Sequence, residues 1–296
     1  MKKVIVTLAI GQSYLERWYR LCYTNWQRYA ELQGYDLICI NSPLDKYSRG
    51  KSRSPCWQKC LILGDKRVKK YDRVVWLDSD ILINPNSPCI VEGVPEEKVG
   101  AVEMFSSLSE YFPGSEPGKI EILQDRAIEF WGWKNTFRSS QEFYAISGLP
   151  DQFDKMIQSG VMVLSPQHHQ SILEEAYYHH EDSVEHGGEM QHLSYEIVKN
   201  NCVHWLDYRF NRLWSECLLK DYPFLLPAEA PDNKVIRAWK RFTRGTSILP
   251  PKKMAIVCLA SAFINNYFLH FAGTSEYMPW LNTKILSWSQ LRNYRL

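Results

Sequence analysis

Apolar positions fall into short unbroken runs that alternate with helically spaced ones. Val4 to Leu8 is a run rich in β-branched residues, the pattern of a strand buried on both faces. Over 13–33, Leu15, Trp18, Tyr19, Cys22, Trp26 and Tyr29 recur at three- and four-residue spacing, which predicts a helix that Gly34 ends. Tyr35 to Ile40 predicts a second strand. Asn41 to Arg53 is polar and basic, with Pro43, Gly50 and Pro55 as boundaries, and predicts a loop. Trp57 to Lys69 predicts a second helix, Val74 to Leu77 a third strand and Val99 to Met104 a fourth. This order is that of a doubly wound α/β sheet. Residues 106–150, rich in Gly, Ser and aromatics, are expected to form an excursion over the sheet. Gly160 to Leu164 predicts another buried strand, Ser171 to His180 and Gly188 to Lys199 helices, Pro223 to Asp232 a loop, and Leu269 to Phe271 a short strand or turn near the sheet.

Composition narrows the classes. The chain has 296 residues, 45% of them apolar and 23% charged, which is ordinary for a globular protein. A formal net charge of +2 sets aside polyanion binding by the whole chain, so no nucleic-acid partner is expected. Eight cysteines do not make a disulfide framework at this length, and Cys56 and Cys60 lack a second close pair to complete a zinc site. The expectation is reduced cysteines in a cytoplasmic protein. Val4 to Ile10 is short for a signal peptide and no small-residue cleavage site follows; Met254 to Ile264 is about half the length that spans a bilayer. Aromatics reach 14%, which suits either sugar and base rings or a tryptophan-rich core.

Chemistry concentrates in YDRVVWLDSDILI, residues 71–83, where an apolar strand delivers two carboxylates at its carboxyl end. Ligands of open α/β sheets bind outside that end. Strand alternation would put Asp78 and Asp80 on one side with Ser79 opposite. Two hard oxygen donors there suit Mg²⁺ or Mn²⁺, and without a cation they would repel each other. Asp-x-Asp alone also fits a solvated strand end.

The ordered blocks VIVTLAI, CWQKCLIL, VVWLDSDILI, QSGVMVLS (158–165), GGEMQHLSYEI (187–197), LDYRFN (206–211) and HFAGTSEYMPW (270–280) span about residues 4–280. Together they resemble the GT-A fold glycosyltransferases, especially the retaining, family 8-like enzymes of the glycogenin and lipopolysaccharide-galactosyltransferase type. The resemblance implies a single GT-A domain with a Rossmann-like, mostly parallel sheet flanked by helices. Residues 1–105 would be the nucleotide-sugar-binding half; 106–296 would carry the acceptor side and the C-terminal His motif. It implies metal ligation by Asp78, Asp80 and His270, with Mn²⁺ or Mg²⁺ as the cation. It places Thr7, Ala9, Tyr14, Lys59, Ser79, Gln158 and Gly273 around a nucleotide-sugar donor, expected to be a UDP-hexose. Glu189 or Gln191 would occupy the place of a nucleophile, if one exists. The acceptor would be a saccharide, lipid-linked or protein hydroxyl. Three departures stand out: Gln158 replaces the family's Asn, the family's Asp-Gln-Asp pattern is degraded to Glu189-Met190-Gln191, and Met278 precedes Pro279-Trp280 where the family has a lysine that helps bind the diphosphate.

Two other readings remain: a haloacid-dehalogenase-type phosphatase and a non-catalytic nucleotide-sugar-binding module. Phosphatases of that type carry Asp-x-Asp after their first strand and continue Gly-Thr; here two strands precede it and Ile81-Leu82 follows. The paired histidines 168–169 and 179–180, with His186 and His192, could suggest a second metal site, but adjacent helical residues diverge by about 100° and a polar helix surface is favoured. Segment 234–253 carries seven basic residues and no acidic one, with Trp239, Phe242 and Ile248 interspersed; it fits a solvated basic loop, peripheral contact with an anionic membrane surface or an acidic acceptor, or a cation that replaces the missing diphosphate lysine.

Overall fold

The computed structural model describes residues 1–104, 139–182, 188–225, 252–284, 287 and 289–290. The chain divides into two compact units. The first comprises Met1–Gly114, Arg138–Arg212 and Asn266–His270.

Its strands are β1 (Lys3–Leu8), β2 (Asp36–Ile40), β3 (Arg73–Leu77), β4 (Ile81–Ile83), β5 (Val99–Glu103), β6 (Ile157–Leu164), β7 (Val203–Trp205) and, after the two-residue β8 (Arg212–Leu213) at the unit's edge, β9 (Phe268–His270). Six form one mixed sheet in the order β2-β1-β3-β6-β5-β7. β1 runs parallel to β2 and β3, β5 parallel to β7, and β6 antiparallel to both β3 and β5. The α/β class expected from the sequence is therefore present, with β6 reversed inside an otherwise parallel sheet. All residues of β3 and β6 are buried, which is why both read as unbroken apolar runs. Each fully buried Val, Ile or Leu there contributes about 1.5–3 kcal/mol.

Helices cover the sheet. α1 (Gln12–Trp18) and α2 (Thr24–Gln33) are joined by a π-helical turn, Tyr19–Tyr23, where the sequence predicts one continuous helix. The buried residues Trp18, Cys22 and Trp26 keep four-residue spacing through it. α2 ends at Gly34 with φ 72°, and Tyr35 N–H closes on Ala30 O at 2.8 Å. The predicted loop 41–53 contains a short helix, α3 (Ser48–Ser52). The predicted helix from Trp57 is a 3₁₀ helix, Pro55–Gly64. Its period of three puts Trp57, Cys60 and Leu63 on one buried face. α4 (Ser140–Ile146) begins with a capping box between Ser139 and Glu142. α5 (Pro166–His179) packs on the 3₁₀ helix and on α6 (Met190–Lys199).

The second unit comprises Ser115–Phe137, Leu213–Asn265 and Phe271–Leu296. Its described elements are α7 (Trp214–Lys220), a 3₁₀ turn at Pro223–Leu225, α8 (Lys252–Asn265) and a 3₁₀ turn at Ser275–Trp280. Trp214 meets Tyr222 and Tyr277 edge-on or tilted, and Tyr222 O–H contacts Ser261 Oγ at 3.0 Å. Among the described residues no helix is long and apolar enough to cross a membrane. The segment 234–253, a candidate for membrane contact, lies outside the described residues except for Lys252 and Lys253, which begin α8; most of the 106–150 excursion lies outside them too.

Candidate metal and nucleotide site

Asp78 and Asp80 do not alternate along a strand. β3 stops at Leu77, and Asp78-Ser79-Asp80 form the turn into β4. β9 pairs antiparallel with β4, Ile81 opposite His270, and this register brings a residue from far along the chain beside Asp80. His270 Nε2 lies 3.2 Å from Asp80 Oδ1 and 4.0 Å from Asp78 Oδ2. One ligand atom from each of the three residues lies within 4.8 Å of the others, and no other group of this kind occurs among the described residues. His270 is buried, whereas the Asp78 and Asp80 side chains keep 29% and 23% exposure and so open the group to one side.

The turn is braced from below. Cys22 Sγ–H donates to Ser79 O (3.3 Å), Trp26 Nε1–H to Ile81 O (2.8 Å), and Asn25 exchanges two hydrogen bonds with the Ile83 main chain (2.7 Å each). The residues around the π-helical turn thus hold the acidic loop. Burial acts to raise the Asp80 pKa, but His270 brings it below the ordinary carboxylate range. Burial acts to lower the His270 pKa, but the carboxylates of Asp80 and Asp78 hold it above the ordinary value. The donor set fits a divalent cation: two carboxylate oxygens and one imidazole nitrogen converge on one open-sided group.

Lys59 is not an exposed helical lysine. It is buried at 4% exposure, and its ammonium reaches Glu189 Oε1 (2.7 Å), Asp78 Oδ1 (3.0 Å) and Ser159 Oγ (3.4 Å). Those contacts use its three N–H donors. Burial alone would pull its pKa down; Asp78 and Glu189 more than offset that. Glu189, just before α6, is equally buried; desolvation would raise its pKa, and Lys59 takes it below the ordinary range. Its Oε1 also accepts from Ser159 Oγ–H at 3.0 Å. Gln191 is buried at 5% exposure.

A cleft of about 290 Å³ opens beside the triad, lined among others by Leu8, Ile10, Tyr14, Arg17, Lys59 and Ser79. Tyr14 is half exposed, with the Arg17 guanidinium 4.9 Å from its ring centre. The expected Thr7 and Ala9 are buried and do not line the cleft. Side-chain alternation at the end of β1 presents Leu8 and Ile10 there instead. Gln158 is buried, and its Oε1 accepts from Gly160 N–H and Asn211 Nδ2–H, both at 2.6 Å. Gly273 belongs to the second unit and sits in a turn at φ 68°.

Asn211, Ser159 and Gly160 are neighbours of the group that the sequence reading did not single out. Only their place in the LDYRFN and QSGVMVLS blocks signalled them. Gly160 O accepts from Asp78 N–H at 2.9 Å, and a Cβ at this position would lie 2.4 Å from His270 Cε1. The histidine pairs hold no second metal group among the described residues. Contrary to a polar surface, His169 and His192 are buried; His169 Nδ1 accepts from Ser165 N–H at 2.9 Å.

No family model matches the chain, and no curated protein does. Among solved structures it is similar to a glycosyltransferase involved in glycosylating the major capsid of PBCV-1, at 14% identity over 93% of this chain and 98% of that one, with a TM-score of 0.48. It is similar also to the galactosyltransferase LgtC in complex with donor and acceptor sugar analogues, at 13% identity over 97% and 92%, with a TM-score of 0.42. At such identities and scores the likeness carries no argument about ligand or reaction.

Proposed function

We propose that the chain is a metal-dependent glycosyltransferase that moves a hexose from a nucleotide sugar, a UDP-sugar by the sequence resemblance, to a hydroxyl of a saccharide, lipid or protein acceptor. The observation that carries this reading is the convergence of Asp78, Asp80 and His270 at the edge of a cleft beyond the carboxyl ends of β1 and β3. That convergence joins residues which the ordered sequence blocks had already grouped.

Asp78, Asp80 and His270 would hold Mn²⁺ or Mg²⁺, which when bound neutralises charge building on the departing diphosphate. Lys59 holds Asp78 Oδ1 at 3.0 Å, leaving Oδ2 toward His270. Tyr14 offers a flat face for the base or ribose. Retention of anomeric configuration follows from the resemblance only. The two-half division of the chain and a peripheral, cytoplasmic location belong to the same reading.

The test is calorimetry with UDP and GDP in Mn²⁺ and in excess chelator. The reading expects UDP to bind only with the cation, and Asp80→Ala to abolish both binding and transfer while the fold is kept. Full activity in chelator would refute it. Tight donor binding with no turnover on any acceptor would instead favour a non-catalytic module, a reading supported by the missing lysine before Pro279.

A further inference from the structure

His270 has two ring nitrogens, and only one can face a cation. Which one carries the proton follows from a chain of hydrogen bonds that starts at a main-chain group. Gly160 N–H can only donate, so the Gln158 side-chain atom 2.6 Å from it must be the carbonyl Oε1. Asn211 therefore turns its amide Nδ2 toward that oxygen, at 2.6 Å. The same Nδ2 lies 3.4 Å from the Gln158 main-chain oxygen, another group that can only accept. Asn211 Oδ1 is left facing His270 Nδ1 at 2.9 Å. An amide oxygen cannot donate, so Nδ1 must carry a hydrogen. Nε2, the atom beside Asp80 and Asp78, is then the nitrogen that presents a lone pair when the ring is neutral.

We propose that Asn211 is a positioning residue: with Gln158 behind it, it fixes His270 as the Nδ1–H tautomer and aims Nε2 as a cation ligand. The inference rests on the metal-dependent reading of the site. Asn211 is 5% exposed and Gln158 8%, so water has little access to replace either partner. Gly160 completes the arrangement, because only a residue without Cβ admits the His270 ring and the Gln158 oxygen this close to β6. Groups that orient a ligating histidine in this way commonly change metal affinity by about 10–100-fold when they are lost.

The experiment measures Mn²⁺ affinity of the full chain, without nucleotide, from the electron paramagnetic resonance signal of the free ion. The proteins are wild type, Asn211→Leu, Asn211→Asp, His270→Ala and Asp80→Ala, each checked for folding by circular dichroism. Asn211→Leu keeps the branched outline of the side chain and removes the acceptor; its affinity should fall by about 10-fold or more. Asn211→Asp keeps an acceptor for Nδ1–H but sets its other oxygen against Gln158 Oε1, so it should lose folding stability and yet bind Mn²⁺ more tightly than Asn211→Leu. A merely structural role predicts the reverse order, because a buried new charge costs more than a buried apolar side chain. If Asn211→Leu binds like wild type while His270→Ala does not, or if Asn211→Asp fails as badly as Asn211→Leu, the positioning role is refuted and the metal site stands. If wild type binds no better than Asp80→Ala, both the role and the metal reading fall.

Discussion

Replacing Gly160 by Ala adds a single methyl group at the most crowded point of the candidate site. The Cβ would lie 2.4 Å from His270 Cε1, and 2.9 Å from both His270 Nδ1 and Gln158 Oε1. Gly160 is not among the glycines with positive φ, so the defect is one of contact and not of backbone strain. Carbon atoms settle about 3.5–4.0 Å apart, so the ring must retreat by about 1 Å. It cannot do so freely: its Nδ1 is held by Asn211 at 2.9 Å and its main chain pairs with Ile81 in β4. Overpacking of this kind costs about 1–3 kcal/mol of stability. Metal–ligand distances hold to within about 0.2 Å of their usual values, well below the required shift. Gly160→Ala should therefore remain folded, lose stability within that range in urea titration, and bind Mn²⁺ at least about 10-fold more weakly, which corresponds to about 1.4 kcal/mol. Wild-type Mn²⁺ affinity in a variant destabilised by less than about 0.5 kcal/mol would show that His270 does not sit where the contact requires.

Lys59→Met strands the buried Glu189 carboxylate and should destabilise the chain by about 3–5 kcal/mol. Adding Glu189→Gln should recover part of that loss in urea unfolding, and strict additivity would argue against the pair. The His169 pKa is pushed down to about 4 by burial, so its folded value lies below the unfolded one near 6.5. Its contribution is complete above pH 6.5 and fades as pH falls toward 4, with a slope of up to roughly 1.4 kcal/mol per pH unit. His169→Gln should flatten the stability profile in that window alone, and an unchanged slope there would count against the assignment.

The sequence made the acidic turn legible because an apolar run ending in Asp-x-Asp has few places to go in an α/β sheet. Val74 to Leu77 is fully buried, as its composition requires. The partner His270 was legible only through its block, because strand pairing between β4 and β9 joins residues that no local pattern connects. Periodicity misled where the helix type changed. Trp57, Cys60 and Leu63 fit either a 3₁₀ or an α repeat, so their spacing does not tell the two helix types apart. The same limit moved the cleft-lining residues from Thr7 and Ala9 to Leu8 and Ile10, since alternation fixes two faces without saying which one meets the ligand.

The charge arrangement bears on the route of transfer under the proposed reading. A glutamate nucleophile needs a free carboxylate oxygen near the sugar carbon. Glu189 Oε1 is already engaged by Lys59 and Ser159, and its low pKa marks a carboxylate held tightly as an anion. Attack through Oε1 would require breaking that buried pair, whose separated charges each carry a desolvation cost of several kcal/mol. Gln191 offers a neutral amide, a weaker nucleophile still. Lys59, its donors committed, cannot swing out to replace the lysine missing before Pro279 without releasing Glu189 and Asp78 together. A route in which the leaving phosphate accepts the acceptor's proton asks for neither movement. Under that reading Lys59 and Glu189 act by holding Asp78 in place, and the charge of the diphosphate falls to the cation.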